Sequence, residues 1–394
     1  MRKPVAFVVQ RCGLEVNGGA ELLCRMVAER LAREIPTEVL TTCALDYMTW
    51  ANHYPPGEER LGELIIRRFP VARPRDVESF NRLSGEIQSR MGRSTIAEQE
   101  EWMRAQGPWS PALLEYLSTN AGEYDAFIFV TYLYATTYFG LPLVRDKALL
   151  VPLAHDEWPI YFGMWDRFFE LPRGLVFSSE EEAAFLRRRF PAARFNGPIV
   201  GTAVEAPATV SPENFRKIYR VEGPFVAYVG RLDQAKGVGE LLEYFRAYRQ
   251  QTRDQRTELV LIGKAAMEVP PVDGVRTIGF IPEAHKWDAL AGCEALIMPS
   301  AYESLSIALL EAWSVGKPVL VSARSKVLVG QCQRSQGGLW YSDGDEFCAA
   351  LECLLQDAQL RRALGAQGRD FVASNYRWPR IVDTYRELIA AIAH

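Results

Sequence analysis

The chain predicts an α/β protein of two doubly wound domains, and three observations carry that expectation. Its 394 residues are too many for one ordinary hydrophobic core, so two domains of roughly 200 residues are expected. Short, almost wholly apolar runs such as Val5–Gln10 (VAFVVQ) and Phe225–Val229 (FVAYV) recur along it, as in parallel strands buried on both faces. Helical stretches separate those runs in both halves, the pattern of strand–helix–strand crossovers.

Composition narrows the class. Apolar residues make up 48% and charged residues 24%, which reads as a globular protein. A net charge of −4 provides no basic field for a polyanion, so no nucleic-acid partner is expected. The seven cysteines are scattered without CxxC spacing and read as reduced, mostly buried thiols. No run reaches the ~18 apolar residues of a membrane span, and the opening MRKPVAFVVQRCG is too short for a signal peptide, so a cytoplasmic location is expected.

The first half carries strand-like runs at Val5–Gln10, near Glu38–Cys43, and at Leu64–Phe69, Ala126–Val130, Ala148–Leu153, Gly174–Ser178 and Pro198–Gly201. After the first run, Ala20, Leu23, Val27 and Leu31 form one helical stripe. Asn17-Gly18-Gly19 just ahead of it either lets backbone approach a ligand at a helix start or is a plain tight turn. No GxGxxG follows the strand, so this is not a dinucleotide fingerprint.

Between Arg73 and Asn120 lies a helix-rich insertion. Its stripe Val77, Phe80, Leu83, Ile87, Met91 is flanked by Arg73, Arg75, Arg82, Arg90 and Arg93. Such a helix either lies on an anionic membrane face or packs on its own domain. Tyr132, Tyr134, Tyr138 and Phe139 cluster after a strand, where they either stack on sugar rings or fill the core. His155, beside Asp156 and Glu157 at another strand end, is a candidate for chemistry or an ordinary structural histidine.

The Pro- and Gly-containing segment Asn196–Pro224 reads as a linker, which gives domains 1–200 and 201–378. The last helix, 379–394, is expected to pack back on the first domain. The second alternation runs through Phe225–Val229, Glu258–Ile262, Val275–Gly279, Ala295–Met298, Val319–Ser322 and a weaker Gly338–Tyr341.

Its first strand enters GRLDQAKG, where Arg231 and Lys236 lie between Gly230 and Gly237. Two cations leaving a strand end suit a diphosphate; the alternative is surface pairing with Asp233 and Glu240. Gly263-Lys264 and Phe280-Ile281 end two further strands and would line a nucleotide pocket or form plain turns. In MPSAYESLSIALLEAWSVGKP, Glu303 lies in a loop and Glu311 in the following helix. The helix start points free amides at an anion, and a carboxylate in the helix can hold hydroxyl groups. Asp343-Gly344-Asp345 resembles a metal-binding triplet, but its place before the helix Glu346–Leu355 assigns Asp345 to capping, and no metal site is expected.

GRLDQAKG, MPSAYESLSIALLEAWSVGKPV, the Asn-Tyr-x-Trp before the last helix, the early GGAE and His155-Asp156 together resemble glycosyltransferase family 4. That likeness implies the GT-B fold, two Rossmann-like domains facing across a cleft, and a retaining transfer without a cofactor. The donor would be a nucleotide-diphosphate sugar, UDP or GDP type, and the acceptor a glycan or lipid-linked glycan of surface polysaccharide or glycoconjugate biosynthesis. Peripheral contact with the cytoplasmic membrane face is the expectation that the basic stripe of the insertion adds. By the same likeness Arg231 and Lys236 would hold the diphosphate, Glu311 the ribose and Glu303 the donor sugar. Ser304, Leu305, Ser306 and Ile307 would lie near its phosphates or hydroxyls. Gly18 and Gly19 would approach from the other domain, with His155 beside the transferred sugar. Ser306 and Leu305 depart from the glycine and phenylalanine common there. A sugar-nucleotide epimerase, a sugar phosphorylase or a catalytically silent binding protein is the alternative.

Overall fold

Strands in this chain form where β-branched and aromatic residues run without interruption, because both sheet faces are covered. The structure, a computed structural model, describes residues 3–16, 18–191, 193 and 197–393. Asn17 of the glycine loop, Asn196 at the linker start and the final His394 lie outside the described residues.

The chain divides into two units, Met1–Thr202 with Trp378–His394, and Ala203–Arg377. In the first unit the strands are β1 (Val5–Val8), β2 (Thr37–Thr42), β3 (Gly57–Leu61), β4 (Leu64–Phe69), β5 (Ala126–Val130), β6 (Ala148–Val151) and β7 (Gly174–Leu175). They form one sheet in the order β3-β4-β2-β1-β5-β6-β7. Among the described residues only strand β3 is antiparallel to its neighbour. The second unit has β8 (Phe225–Val229), β9 (Glu258–Ile262), β10 (Val275–Gly279), β11 (Leu296–Met298), β12 (Val319–Ser322) and β13 (Gly338–Tyr341). Its parallel sheet runs β10-β9-β8-β11-β12-β13. Both units are therefore doubly wound and Rossmann-like, the architecture expected of GT-B. In each, strand order reverses beside the first strand, at β1/β5 and at β8/β11, and ligands of such sheets bind outside the strand ends at that switch point.

Three expectations change. Strand β3 is an exposed edge (GEERL) with no apolar alternation. It forms because Leu61 and Leu64 close a hairpin over Gly62-Glu63, and Glu58 and Glu59 reach Arg67 and Arg68 across the pair. Pro198–Gly201 is no strand, only a single bridge from Ile199 to Phe177, and the linker region contains a helix, Pro212–Tyr219. The helix after β13 starts at Gly344, and its cap is Asp343, which accepts the Glu346 N–H, so Asp345 is not the cap.

The insertion folds as three helices, Val77–Ser89, Ile96–Gln106 and Pro111–Asn120. The expected stripe faces inward: Ile87 is buried in the core, with Phe80, Leu83 and Met91 packed against it. Arg75 also turns in, donating to Gln106 O at 3.1 Å and lying over the Trp50 ring at 4.9 Å. Arg73, Arg82, Arg90 and Arg93 remain exposed. The helix Trp378–Ile392 lies on the first unit. There the Arg30 guanidinium sits 5.0 Å over Trp378, Tyr385 meets Phe7 at 6.2 Å, and Arg386 pairs with Glu34 at 3.0 Å. Among the described residues no helix is long and apolar enough to cross a membrane. Six cysteines are buried and Cys353 is exposed.

Candidate active site

In the second unit the ends of β8, β9 and β10 are stitched together by backbone. Gly230 N–H reaches Ile262 O at 3.0 Å, Leu232 N–H reaches Lys264 O at 3.0 Å, and Gly263 N–H reaches Gly279 O at 2.8 Å. A Cβ at Gly263, whose φ is +150°, would overlap Gly230 O. Glycine there lets the two loops touch. Gly230, Gly263, Lys264 and Phe280 thus share one edge. Lys264 is exposed and Phe280 is 64% exposed, while Ile281 is buried in the core beneath.

Arg231 and Lys236 leave β8 beside the switch point, each with a carboxylate. The Arg231 guanidinium meets Asp233, whose other oxygen accepts the Lys236 N–H at 2.8 Å. Tyr228 OH donates to Arg231 O at 2.7 Å and fixes the loop. The pairing with Asp233 that sequence offered as the alternative is therefore present; Glu240 pairs instead with Arg324. Lys236 Nζ reaches Glu303 Oε1 at 2.7 Å, joining the loops after β8 and β11. Both ion pairs are partly solvated, so each contributes little to stability, and the cations can exchange partners at small cost.

From Glu303 the chain buries Ser304, Leu305 and Ser306 and enters the helix Ile307–Ser314. Ser306 is the N-cap, its Oγ accepting the Leu309 N–H at 3.3 Å, worth about 1 kcal/mol. Its hydroxyl is spent on the helix, and the Ile307 and Ala308 amides precede the first intrahelical bond, from Leu310 N–H to Ser306 O. Leu305 packs into the core.

Glu311 is buried, and Lys286, from the helix Glu283–Gly292, bonds its Oε1 at 2.7 Å. Burial raises the Glu311 pKa while Lys286 draws it back. Burial works to lower that of Lys286, but Glu311 and Glu283 outweigh it and the net shift is upward. Sequence reading missed Lys286, because one lysine in an amphipathic helix carries no motif.

In the first unit, Gly18 precedes the helix Gly19–Ala32. Beside it Arg11 pairs with Glu21 at 2.6 Å, both nearly inaccessible; a Cβ at Gly19 would meet nothing within 4 Å among the described residues. Of the four aromatics after β5, three turn to the core. Tyr132 packs on Trp165 at 4.9 Å, Tyr138 on Trp165 at 5.3 Å and Phe139 on Trp109 at 5.2 Å. Tyr134 alone joins a different cluster, 5.5 Å from Trp50.

His155 is half-buried after β6, its Nδ1 3.4 Å from Glu157 Oε1. The backbone around it is held by a residue that sequence reading passed over. Glu182, fully buried, accepts the Ala154 N–H and the Ser178 N–H, each at 2.6 Å. The Ser179-x-x-Glu182 spacing was the available signal, since it matches a capping box, and Ser179 Oγ does accept the Glu182 N–H at 3.2 Å. Thr131 and Leu153, with φ of 64° and 49°, place strained backbone immediately before Tyr132 and two residues before His155.

Burial pushes the Glu182 carboxyl up to about 7, with the Ser178 and Ala154 N–H groups and His155 drawing it back. The unfolded chain releases this proton near the ordinary value of 4.5, so between there and about 7 the native state binds more protons. Stability therefore falls as pH rises through that window, by about 3 kcal/mol for this group. Glu182→Gln removes the ionisation. Denaturant titrations at pH 5 and pH 8 should show the variant gaining on wild type as pH rises; a pH-independent difference would refute this account.

Comparison with known proteins gives two results. Residues 211–371 match the family model described as "Glycosyl transferases group 1". Over 181 residues the chain is 28% identical to the lipopolysaccharide core biosynthesis glycosyltransferase LpsE of Rhizobium meliloti, an alignment covering 43% of this chain and 51% of that protein. The chain thus spans about half the length of this curated relative. Likeness in fold extends further. Sucrose-phosphate synthase of Thermosynechococcus elongatus superposes with a TM-score of 0.72 at 19% identity, over 99% of this chain and 100% of that one. HepE of Anabaena, in a complex with UDP and glucose, gives 0.69 at 14% identity over 99% and 100%.

Proposed function

We propose that this protein is a retaining glycosyltransferase of the family 4 type. It would move a sugar from a nucleotide-diphosphate donor to a glycan or lipid-linked acceptor in surface polysaccharide or glycoconjugate biosynthesis. The observation that carries the reading is the edge at β8/β11. There Arg231, Lys236 and Glu303 come together, with the start of the Glu311 helix next in the chain. The match to the group 1 family model and the UDP complex of HepE, similar in fold, support it.

The chemistry follows from charge. The bond between the sugar C1 and the β-phosphate oxygen breaks, leaving positive charge on the sugar and negative charge on the nucleotide diphosphate. Arg231, Lys236 and the helix-start amides stabilise the second as preorganised electrostatics, and no metal is required for that role. The acceptor hydroxyl attacks the face the diphosphate leaves, and its proton passes to the departing phosphate, so configuration is retained. Glu311 would hold the ribose, Glu303 the donor sugar, and the edge at Gly230, Gly263, Lys264, Phe280 and Ile281 the base. With the apolar stripe of the insertion buried, a cytoplasmic enzyme's contact with an anionic membrane face would rest on exposed arginines such as Arg73, Arg82 and Arg93.

Incubation with UDP-, GDP- and dTDP-sugars, followed by mass spectrometry of released nucleotide, tests the reading and identifies the donor. Release from one sugar nucleotide, stimulated by a glycan acceptor, is expected. Interconversion of the sugar with no nucleotide released would favour an epimerase instead.

A further inference from the structure

Lys286 lies in the first turn of the helix that follows Phe280-Ile281, and its ammonium reaches across to the helix of Glu311. Its side chain is 14% exposed and that of Glu311 6%; Lys286 Nζ also bonds Glu283 at 2.8 Å. Lys286 takes Glu311 Oε1. Among the described residues no group bonds Oε2, and Oε2 is not one of the fully enclosed, unpartnered atoms.

A carboxyl group this buried, with no cation beside it, takes up a proton rather than remain charged. A protonated acid donates as well as accepts, so it rewards a ligand carbonyl or ether as readily as a hydroxyl. Held against an ammonium, the same group is an acceptor only. Resting on the reading of Glu311 as the ribose ligand, we infer that Lys286 is a positioning residue that keeps Glu311 an acceptor-only contact through Oε2, making the donor site select ribonucleotides over 2′-deoxyribonucleotides. The ligand then has to supply hydroxyl hydrogens, and the 2′- and 3′-hydroxyls of ribose are the pair a nucleotide offers. Removing one leaves a buried acceptor short of a partner, which a polar site penalises more than an apolar one.

An ion pair that only held the fold would behave differently. Its loss would weaken every nucleotide by the same factor. Calorimetric titration of the full chain with UDP, GDP and their 2′-deoxy counterparts separates the cases. Wild type should prefer the ribonucleotide by about tenfold. Lys286→Met should reduce that preference to about twofold or less, and Lys286→Arg should retain most of it. A wild-type chain that binds none of the four nucleotides would overturn the reading of the donor as a UDP or GDP sugar, on which the inference rests. Binding without preference, or a Lys286→Met variant with the wild-type ratio, would overturn the role of Lys286 alone. Should the methionine variant not fold, the side-chain carboxyl ¹³C signal of Glu311 in wild type, identified by its loss in Glu311→Gln, decides the matter. Half-titration below pH 7 supports the inference and half-titration above pH 7 overturns it.

Discussion

Arg231→Ala is expected to lower kcat/KM for sugar transfer by roughly 10²–10³, the range found when one preorganised charge-stabilising donor is removed. The loss should fall mainly on kcat, because the diphosphate gains most of its charge as the sugar departs, and an interaction stronger in the transition state appears in kcat. The geometry favours a large effect. The Arg231 backbone is pinned by Tyr228 OH at 2.7 Å, and its guanidinium is held by Asp233, so the cation is oriented before any ligand arrives. Arg231→Lys should recover only part of the rate, since an ammonium lacks the planar fork that meets a phosphate with two parallel bonds. Initial rates with the donor identified by nucleotide release measure both variants. An alanine variant within threefold of wild type would remove Arg231 from the mechanism.

Trp313→Ala is expected to cost about 3–5 kcal/mol of stability, the range for truncating a buried large aromatic. Trp313 is 0% exposed, two residues beyond Glu311 on the same helix, and its Nε1–H donates to Gly337 O at 2.8 Å. Its ring lies so close to Gly337 and Gly368 that a Cβ on either would collide with it, and a Cβ at Gly365 would overlap Gly316 O. The helix Ala358–Asn375 therefore packs its glycines directly on the Trp313 indole and on the turn that follows the helix Ile307–Ser314. The gain in helix propensity from alanine, about 0.5 kcal/mol, is too small to offset the cavity. Urea denaturation measures the loss, and nucleotide affinity should fall with it as the helix carrying Glu311 settles into the space. A stability loss below 1 kcal/mol would mean that the site collapses without cost.

The fold class was legible because strands buried on both faces leave an apolar run that needs no partner to be recognised, as at Val5–Val8 and Phe225–Val229. β3 was not legible, since what makes GEERL a strand is the hairpin with β4 and the charges it meets there. The aromatic run after β5 shows the same limit. Tyr132 and Tyr134 are two residues apart, yet one enters the core against Trp165 and the other joins Trp50, a division set by the chain path beyond the strand. The apolar stripe of the insertion was legible as a helix with one apolar face, but periodicity reports that a face is buried and not what covers it.

For the candidate site, sequence alone determined the residue types and the segments that hold them: Arg231 and Lys236 after one strand, Glu303 and Glu311 around one helix start. Motif spacing preserves these because loop and helix geometry is local. Tertiary structure alone decided the partners. Lys286 and Glu311 are 25 residues apart and Lys236 and Glu303 are 67 apart, and they meet only because parallel strands deliver their loops to the same edge of a sheet. Glu182 reaches Ala154 across 28 residues in the same way. A charged side chain states what it can bind; which charge faces it, and so whether it stays ionised, depends on a desolvated contact that exists only once the sheets have formed.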